Sequence, residues 1–143
     1  MNVAAFIDYL KGMDSYQGQV VHIQHIPETE GRPGELAEPL PPTLAQALSS
    51  WEMLPLYSHQ AAAIDLVRQG HNVVVSTPAA SGKSLCYNIP VAEALLHDRT
   101  CRALYLFPTK ALAQDQMRGL ERLRQAVDFN YATFDGDTPR EER

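Results

Sequence analysis

The sequence predicts an α/β fold, a parallel sheet crossed by helices and preceded by a short N-terminal extension. Three observations carry that prediction. From Thr43 onward, short β-branched or apolar runs alternate with longer helical patterns. Strand–helix–strand–helix–strand order implies parallel strands with right-handed crossovers. The octapeptide Thr77–Ser84 (TPAASGKS) sits where the first such run gives way to a helix. Finally, 45% of the 143 residues are hydrophobic, ordinary for a globular chain. At about 100–200 residues per domain there is room for one.

Along the chain, Val3 to Leu10 has the spacing of a short amphipathic helix. Residues 19–26 (QVVHIQHI) read as a half-exposed strand with Val21 and Ile23 on one face. His22 and His25 suggest a metal only weakly, because no third ligand lies at suitable spacing. Residues 27–42 hold five of the ten prolines and four glutamates. Proline fixes φ and lacks an amide donor, so this is an extended connector rather than a core element. The domain division is therefore 1–42, extension and connector, and 43–143, the α/β part.

In 43–143, Thr43 is placed to cap a short helix carrying Leu44 and Leu48. Ser58 is placed to cap a helix over 59–69, with Gly70 as its stop. Residues 72–76 (NVVVS) form a β-branched run of the kind buried on both faces. A helix follows from Lys83 to about His97, carrying Pro90 as a potential kink and Cys86 as a packing residue. Residues 102–107 (RALYLF) are a second strand, and Thr109 caps a long helix with Ala113, Met117, Leu120 and Leu123 on its apolar face. Residues 130–134 are a third strand, and residues 138–141 (TPRE) have the form of a capping box. Trp51 reads as packing rather than as a base-stacking platform.

Charge and composition exclude several classes. Net charge is −5, which argues against a wholly basic nucleic-acid binder. Residues 99–124 nevertheless carry six basic side chains against Asp115 and Glu121, enough to meet a phosphate backbone locally. No apolar run approaches the ~18 residues of a membrane span. The N-terminus lacks a secretory pattern, and Cys86 and Cys101 make no disulfide framework, so a reducing cytoplasm is the expected location.

The strongest chemical signal is the loop Thr77, Pro78, Ala79, Ala80, Ser81, Gly82, Lys83, Ser84, with Leu85 in the helix it opens. At a strand-to-helix turn, loop amides and the helix N-terminus face a phosphate. Lys83 is suited to the β- and γ-phosphates and the Ser84 hydroxyl to Mg²⁺. The strict pattern begins with Gly, and here Thr77 stands in its place. The alternative is an ordinary turn with Gly82 for flexibility.

The neighbouring segments resemble a known family. Residues 56–60 (LYSHQ) resemble the Q motif of superfamily 2 helicases, and Ser76–Ser84 resembles their motif I, where a Thr-Pro start is common. Residues 107–116 (FPTKALAQDQ) resemble motif Ia, and residues 134–139 (FDGDTP) the motif after it in DNA-acting members. The likeness runs from about Val20 to Arg143. It is strongest to the RecQ-like DEAH-box branch with a C-terminal cysteine-rich domain, which includes bacterial mitomycin-repair helicases.

That resemblance implies a P-loop NTPase with a RecA-like parallel sheet, using ATP and Mg²⁺ and acting on single-stranded DNA, with a role in DNA repair. It implies that Gln60 reads adenine, its carboxamide offering both donor and acceptor, with Tyr57 near the purine face. It places Pro108, Thr109 and Lys110 against a DNA phosphate, and Gly136 and Thr138 beside the strand. Plain alternatives stand beside these: a surface position for Gln60, a simple cap at Thr109, a solvated Lys110, a simple turn at 135–138. The family's Asp-Glu-Ala-His box does not occur in this sequence. The expectation is an incomplete first motor domain whose missing C-terminal part completes the catalytic site. The competing readings are a P-loop nucleotide kinase and a non-catalytic fragment.

Overall fold

The computed structural model describes residues 2–27, 30–136, 138–139 and 141. They contain helices α1 (Val3–Lys11), α2 (Pro42–Ser50), α3 (Ser58–Arg68), α4 (Ser84–His97) and α5 (Lys110–Arg124). The chain divides into two compact units, Met1–Glu30 and Gly31–Arg143. None of the five helices is long and apolar enough to cross a membrane.

In the first unit α1 forms as its spacing predicts. The Asn2 side-chain oxygen accepts from the Ala5 amide at 3.2 Å, supplying the cap. No residue of α1 is buried. Residues 19–26 depart from expectation. They have no ladder partner among the described residues, and Val21 and Ile26 are exposed. Alternation specifies which face a strand would bury, but a strand forms only when a second one pairs with it.

The second unit is built on a cluster of Leu44, Leu48, Leu56, Ile64, Ile89, Ala92, Leu123 and Val127. Leu44 and Leu48 sit one turn apart on α2 and bury the same face. α2 begins one residue before the expected cap, because Pro42 supplies a preset φ and needs no amide partner in the first turn. Thr43 lies inside the helix. α3 likewise begins at Ser58 with Tyr57 as its N-cap, and the Gln60 carboxamide oxygen accepts from the Tyr57 amide at 2.8 Å. Its far end stops as predicted, with Gly70 at φ +83°. α4 packs on α3 and buries Cys86, Asn88, Ile89 and Ala92; Pro90 lies within it. On α5, Leu123 is buried and Ala113, Met117 and Leu120 are half-buried, as the apolar stripe requires.

The second half of the connector is not outside the core. Leu36 and Leu40 pack against the central cluster. Its backbone runs antiparallel to residues 56–58, with the Gly34 amide donating to Leu56 O and the Ser58 amide to Arg32 O, both at 2.8 Å. A side chain at Gly34 would stand 2.5 Å from the Ser58 Cα, so only glycine permits this approach. Arg68 straps it down, donating to Glu38 O at 2.7 Å and pairing with Glu93 at 2.6 Å. Prolines deny the segment a ladder of its own, but they leave its carbonyls and leucines free to pack.

The three segments expected as strands differ from expectation in one respect. Residues 72–76, 102–107 and 130–134 carry no ladder hydrogen bonds among the described residues. They do alternate in burial. Val73, Val75, Tyr105, Phe107, Tyr131 and Thr133 are half-buried, and the residues between them are exposed. Val74 is 96% exposed, Leu104 85%, Leu106 82% and Phe134 75%. Residues 72–76 are thus covered on one face, not both. Among the described residues, 72–76 pair with no neighbouring strand, and the alternate positions stay exposed. The capping-box start at 138–141 includes Arg140, which lies outside the described residues, so its helix is not described.

Candidate nucleotide and nucleic-acid site

The 77–84 loop has the backbone of an anion cradle. Ala80 (φ +60°) and Gly82 (φ +74°) are left-handed, and Lys83 returns to the right-handed region. Such alternation turns successive amides toward one concavity. The concavity opens at the N-terminus of α4, where the helix dipole adds positive potential. The arrangement fits a polyphosphate, and the Ser84 hydroxyl at the first helical position is the hard oxygen donor that Mg²⁺ prefers.

Side chains hold the loop's shape. The Thr77 and Ser81 hydroxyls are 2.6 Å apart. Lys83 Nζ donates to Thr77 O at 2.9 Å and Pro78 O at 2.6 Å, with Ser81 Oγ at 3.3 Å. The ammonium therefore lies folded over the loop it would share with a phosphate. Ala79 is exposed and Leu85 is half-buried against the core cluster. Cys86 follows, its thiol pushed up in pKa by burial, which keeps it an uncharged packing group.

α3 brings Gln60 to this loop. The residue is 3% exposed, so it is not a surface helix residue. Its Oε1 takes the Tyr57 amide and its Nε2 donates to Gly82 O at 2.9 Å. One lone pair and one N–H of the carboxamide remain for a further partner. Tyr57 lies over His59, ring centroids 5.9 Å apart, and stays half in solvent. His59 Nε2 bonds to Ser81 O at 3.0 Å, a second tie from α3 to the loop that the sequence reading missed. Gln60, Gly82 and Ser84 lie along a cleft of about 860 Å³. Trp51, Arg118 and Arg122 also line it, with the Arg122 guanidinium 4.9 Å over the Trp51 ring.

At the start of α5, Thr109 caps as expected, its hydroxyl accepting from the Leu112 amide at 3.2 Å. Pro108, Thr109 and Lys110 are exposed. A Cβ built on Gly136 would lie 3.7 Å from Lys110 Nζ, so the two predicted phosphate contacts are neighbours. Thr138 is drawn into its own turn, with its hydroxyl accepting from the Asp135 amide at 2.8 Å and its amide donating to Asp135 O at 3.2 Å. Asp137 lies outside the described residues. No group of three metal-ligating side chains occurs among the described residues, His22 and His25 included.

Two further residues join the site from elements the sequence did not connect. Tyr87 on α4 and Gln116 on α5 both reach Ser84. Gln116 lies inside the motif Ia segment, but nothing in its spacing predicts a contact across 32 residues.

Comparison with known proteins shows the family. The DEAD/DEAH box helicase family model matches residues 57–143. The uncharacterized ATP-dependent helicase YprA of Bacillus subtilis is 40% identical over 139 residues, 96% of this chain and 18% of that protein. The ATP-dependent helicase hrq1 of Schizosaccharomyces pombe is 38% identical over 149 residues, 99% of this chain and 14% of that protein. The crystal structure of the DUF1998 helicase MrfA bound to DNA and AMPPNP superimposes with a TM-score of 0.76 at 40% identity, covering 96% of this chain and 19% of that one. The chain thus spans about a seventh to a fifth of the length of these relatives. Its architecture is that of a helicase motor domain of the P-loop NTPase fold, and the chain belongs to the DEAD/DEAH box helicase family.

Proposed function

We propose that this chain is the ATP- and DNA-binding front of an ATP-dependent DNA helicase, in which hydrolysis drives translocation along single-stranded DNA. The observation that carries the reading is the Gln60–Gly82 bond, which joins a base-reading carboxamide to a phosphate cradle. In this reading Gln60 and Tyr57 hold adenine, and Thr77 through Leu85 hold the phosphates. Lys83 swings from the loop carbonyls to the γ-phosphate, exchanging neutral acceptors for an anion. Mg²⁺, held by Ser84, would offset phosphate charge. The exposed Pro108–Lys110 corner, with Gly136 beside it, meets the DNA backbone. Thr138, bonded into its turn, shapes that loop.

The proposed division of labour follows from what the sequence lacks. No Asp-Glu-Ala-His box is present to orient Mg²⁺ and water, so catalysis requires further residues of the full-length protein. The completed motor domain would be a RecA-like parallel sheet in which 72–76, 102–107 and 130–134 find ladder partners. The extension and connector, 1–42, precede its first strand, with Leu36 and Leu40 of the connector packed on its core, and the protein works in the cytoplasm, at the nucleoid in a bacterium. The names of YprA, hrq1 and MrfA support a helicase over a nucleotide kinase.

The test is ATPase activity of the full-length protein with and without single-stranded DNA, in wild type and Lys83→Ala. DNA-stimulated turnover, abolished in the variant while DNA binding persists, is expected. Wild-type turnover in Lys83→Ala would overturn the site. Turnover stimulated by a small phosphoryl acceptor and indifferent to DNA would favour the kinase reading.

A further inference from the structure

Ser84, Tyr87 and Gln116 form a compact hydrogen-bonded group between α4 and α5. Gln116 Oε1 receives the Tyr87 hydroxyl at 2.8 Å and the Ser84 hydroxyl at 3.3 Å, and the two hydroxyl oxygens are 3.2 Å apart. A carboxamide oxygen only accepts, so both nearby hydroxyls are drawn to direct protons toward it. For Ser84 the consequence is chemical. A neutral hydroxyl that ligates a divalent cation must present a lone pair to the metal and send its proton elsewhere. The Gln116 oxygen is the acceptor that the structure provides.

The acceptor is itself held in place. Tyr87 occupies its second lone pair, and the Tyr87 ring meets Tyr105 edge-on at 5.7 Å. Tyr105 in turn donates to the buried Asn88 at 3.0 Å, and burial pushes its phenol pKa up to about 12, so it keeps that proton. Gln116 rides on α5, which is anchored by Leu123 in the core and begins at Thr109 and Lys110.

We infer that Gln116 is a positioning residue for the metal site: it accepts the Ser84 hydroxyl hydrogen bond, which would leave the Ser84 lone pairs available to Mg²⁺. This rests on the nucleotide site proposed above. Partners that orient a metal ligand typically change metal affinity about 10- to 100-fold when removed. The position differs from a packing role in what it needs. An acceptor oxygen suffices, and a donor is of no use.

The test is binding of a fluorescent ATP analogue to the full-length protein, titrated in MgCl₂ and separately in EDTA. Gln116→Leu is expected to reduce the affinity gained on adding Mg²⁺ by about 10-fold, with affinity in EDTA unchanged. Gln116→Glu keeps an acceptor and should retain the gain. Tyr87→Phe, which frees the carboxamide to rotate, should lose a smaller part and decides the matter if Gln116→Leu does not fold. Equal losses with and without Mg²⁺ would reduce Gln116 to a structural role and overturn the inference. So would an undiminished Mg²⁺ gain in Gln116→Leu, or loss in Gln116→Glu as large as in the leucine variant. Lys83→Ala serves as the control. If it binds the analogue as wild type does, the nucleotide site itself is wrong, an outcome separate from failure at Gln116.

Discussion

Gln60 Nε2 donates to the carbonyl oxygen of Gly82 at 2.9 Å, from a side chain that is almost fully buried. Helix α3 is thereby attached to the one loop residue whose backbone must be left-handed beside the lysine. The bond fixes the α3 N-terminus to the 77–84 loop. His59, bonded to Ser81 O, makes the same attachment one residue away.

Gly82→Ala tests how tightly that attachment constrains the loop. An added Cβ would stand 2.4 Å from Gln60 Nε2, at a φ of +74°. Left-handed backbone costs a non-glycine residue about 1–2 kcal/mol before any clash. The variant should lose nucleotide affinity, read by equilibrium binding, and melt at lower temperature. Wild-type affinity would mean that the cradle is more adaptable than its hydrogen bonds imply.

Gln60→Ala removes both partners at once, leaving the Tyr57 amide and the Gly82 carbonyl without their side-chain bonds. Each lost hydrogen bond costs about 1 kcal/mol net, since water can reach the groups left behind, so a lower melting temperature is expected. Preference for ATP over GTP should fall as well, because discrimination depends on groups that the wrong base leaves unpaired. A stability loss with unaltered nucleotide preference would assign Gln60 to holding the loop and not to reading the base.

The local signals were legible in the sequence. Thr109 as a cap, Gly70 as a stop and the Leu44/Leu48 face follow from short-range rules, and the loop at 77–84 follows from its own residues. Pairings across long separations were not. Nothing in the spacing of Gln60 says that it reaches Gly82, or in Gln116 that it reaches Ser84, because helix packing sets those contacts. The strands show the same limit. Val74, Leu104 and Phe134 alternate correctly with half-buried neighbours, yet periodicity cannot say whether a partner strand is at hand. The connector misled for a different reason. Its prolines exclude regular structure, but exclusion from helix and sheet is not exclusion from the core, as Leu36 and Leu40 show.

Lys110→Ala in the full-length protein should weaken single-stranded DNA binding about equally for all sequences. A phosphate contact carries no sequence information, and removing one cation should flatten the slope of log affinity against log salt by about 0.7. Thr109→Ala acts differently. It removes a helix cap, worth about 1 kcal/mol, and should lower stability while leaving the salt slope in place. An unchanged slope in Lys110→Ala would take that ammonium off the DNA path.

The 143-residue chain on its own should neither melt sharply nor turn over ATP. Val74, Leu104 and Leu106 are 96%, 85% and 82% exposed, on segments whose alternate residues are half-buried. Unpaired extended segments with exposed apolar side chains favour self-association and loosen the cooperativity of unfolding. The expected behaviour is a broad thermal transition and strong binding of a hydrophobic dye, with both corrected in the full-length protein. Weak nucleotide binding should survive, because the cradle, Lys83 and Gln60 are bonded to one another locally. Phosphate release should not, because the sequence contains no carboxylate box to orient the water. Scanning calorimetry, dye fluorescence and a phosphate-release assay on the purified chain settle the point. A sharp, dye-silent melt of a monomer would show that the exposed faces need no cover, and robust turnover would place the catalytic carboxylates within these 143 residues.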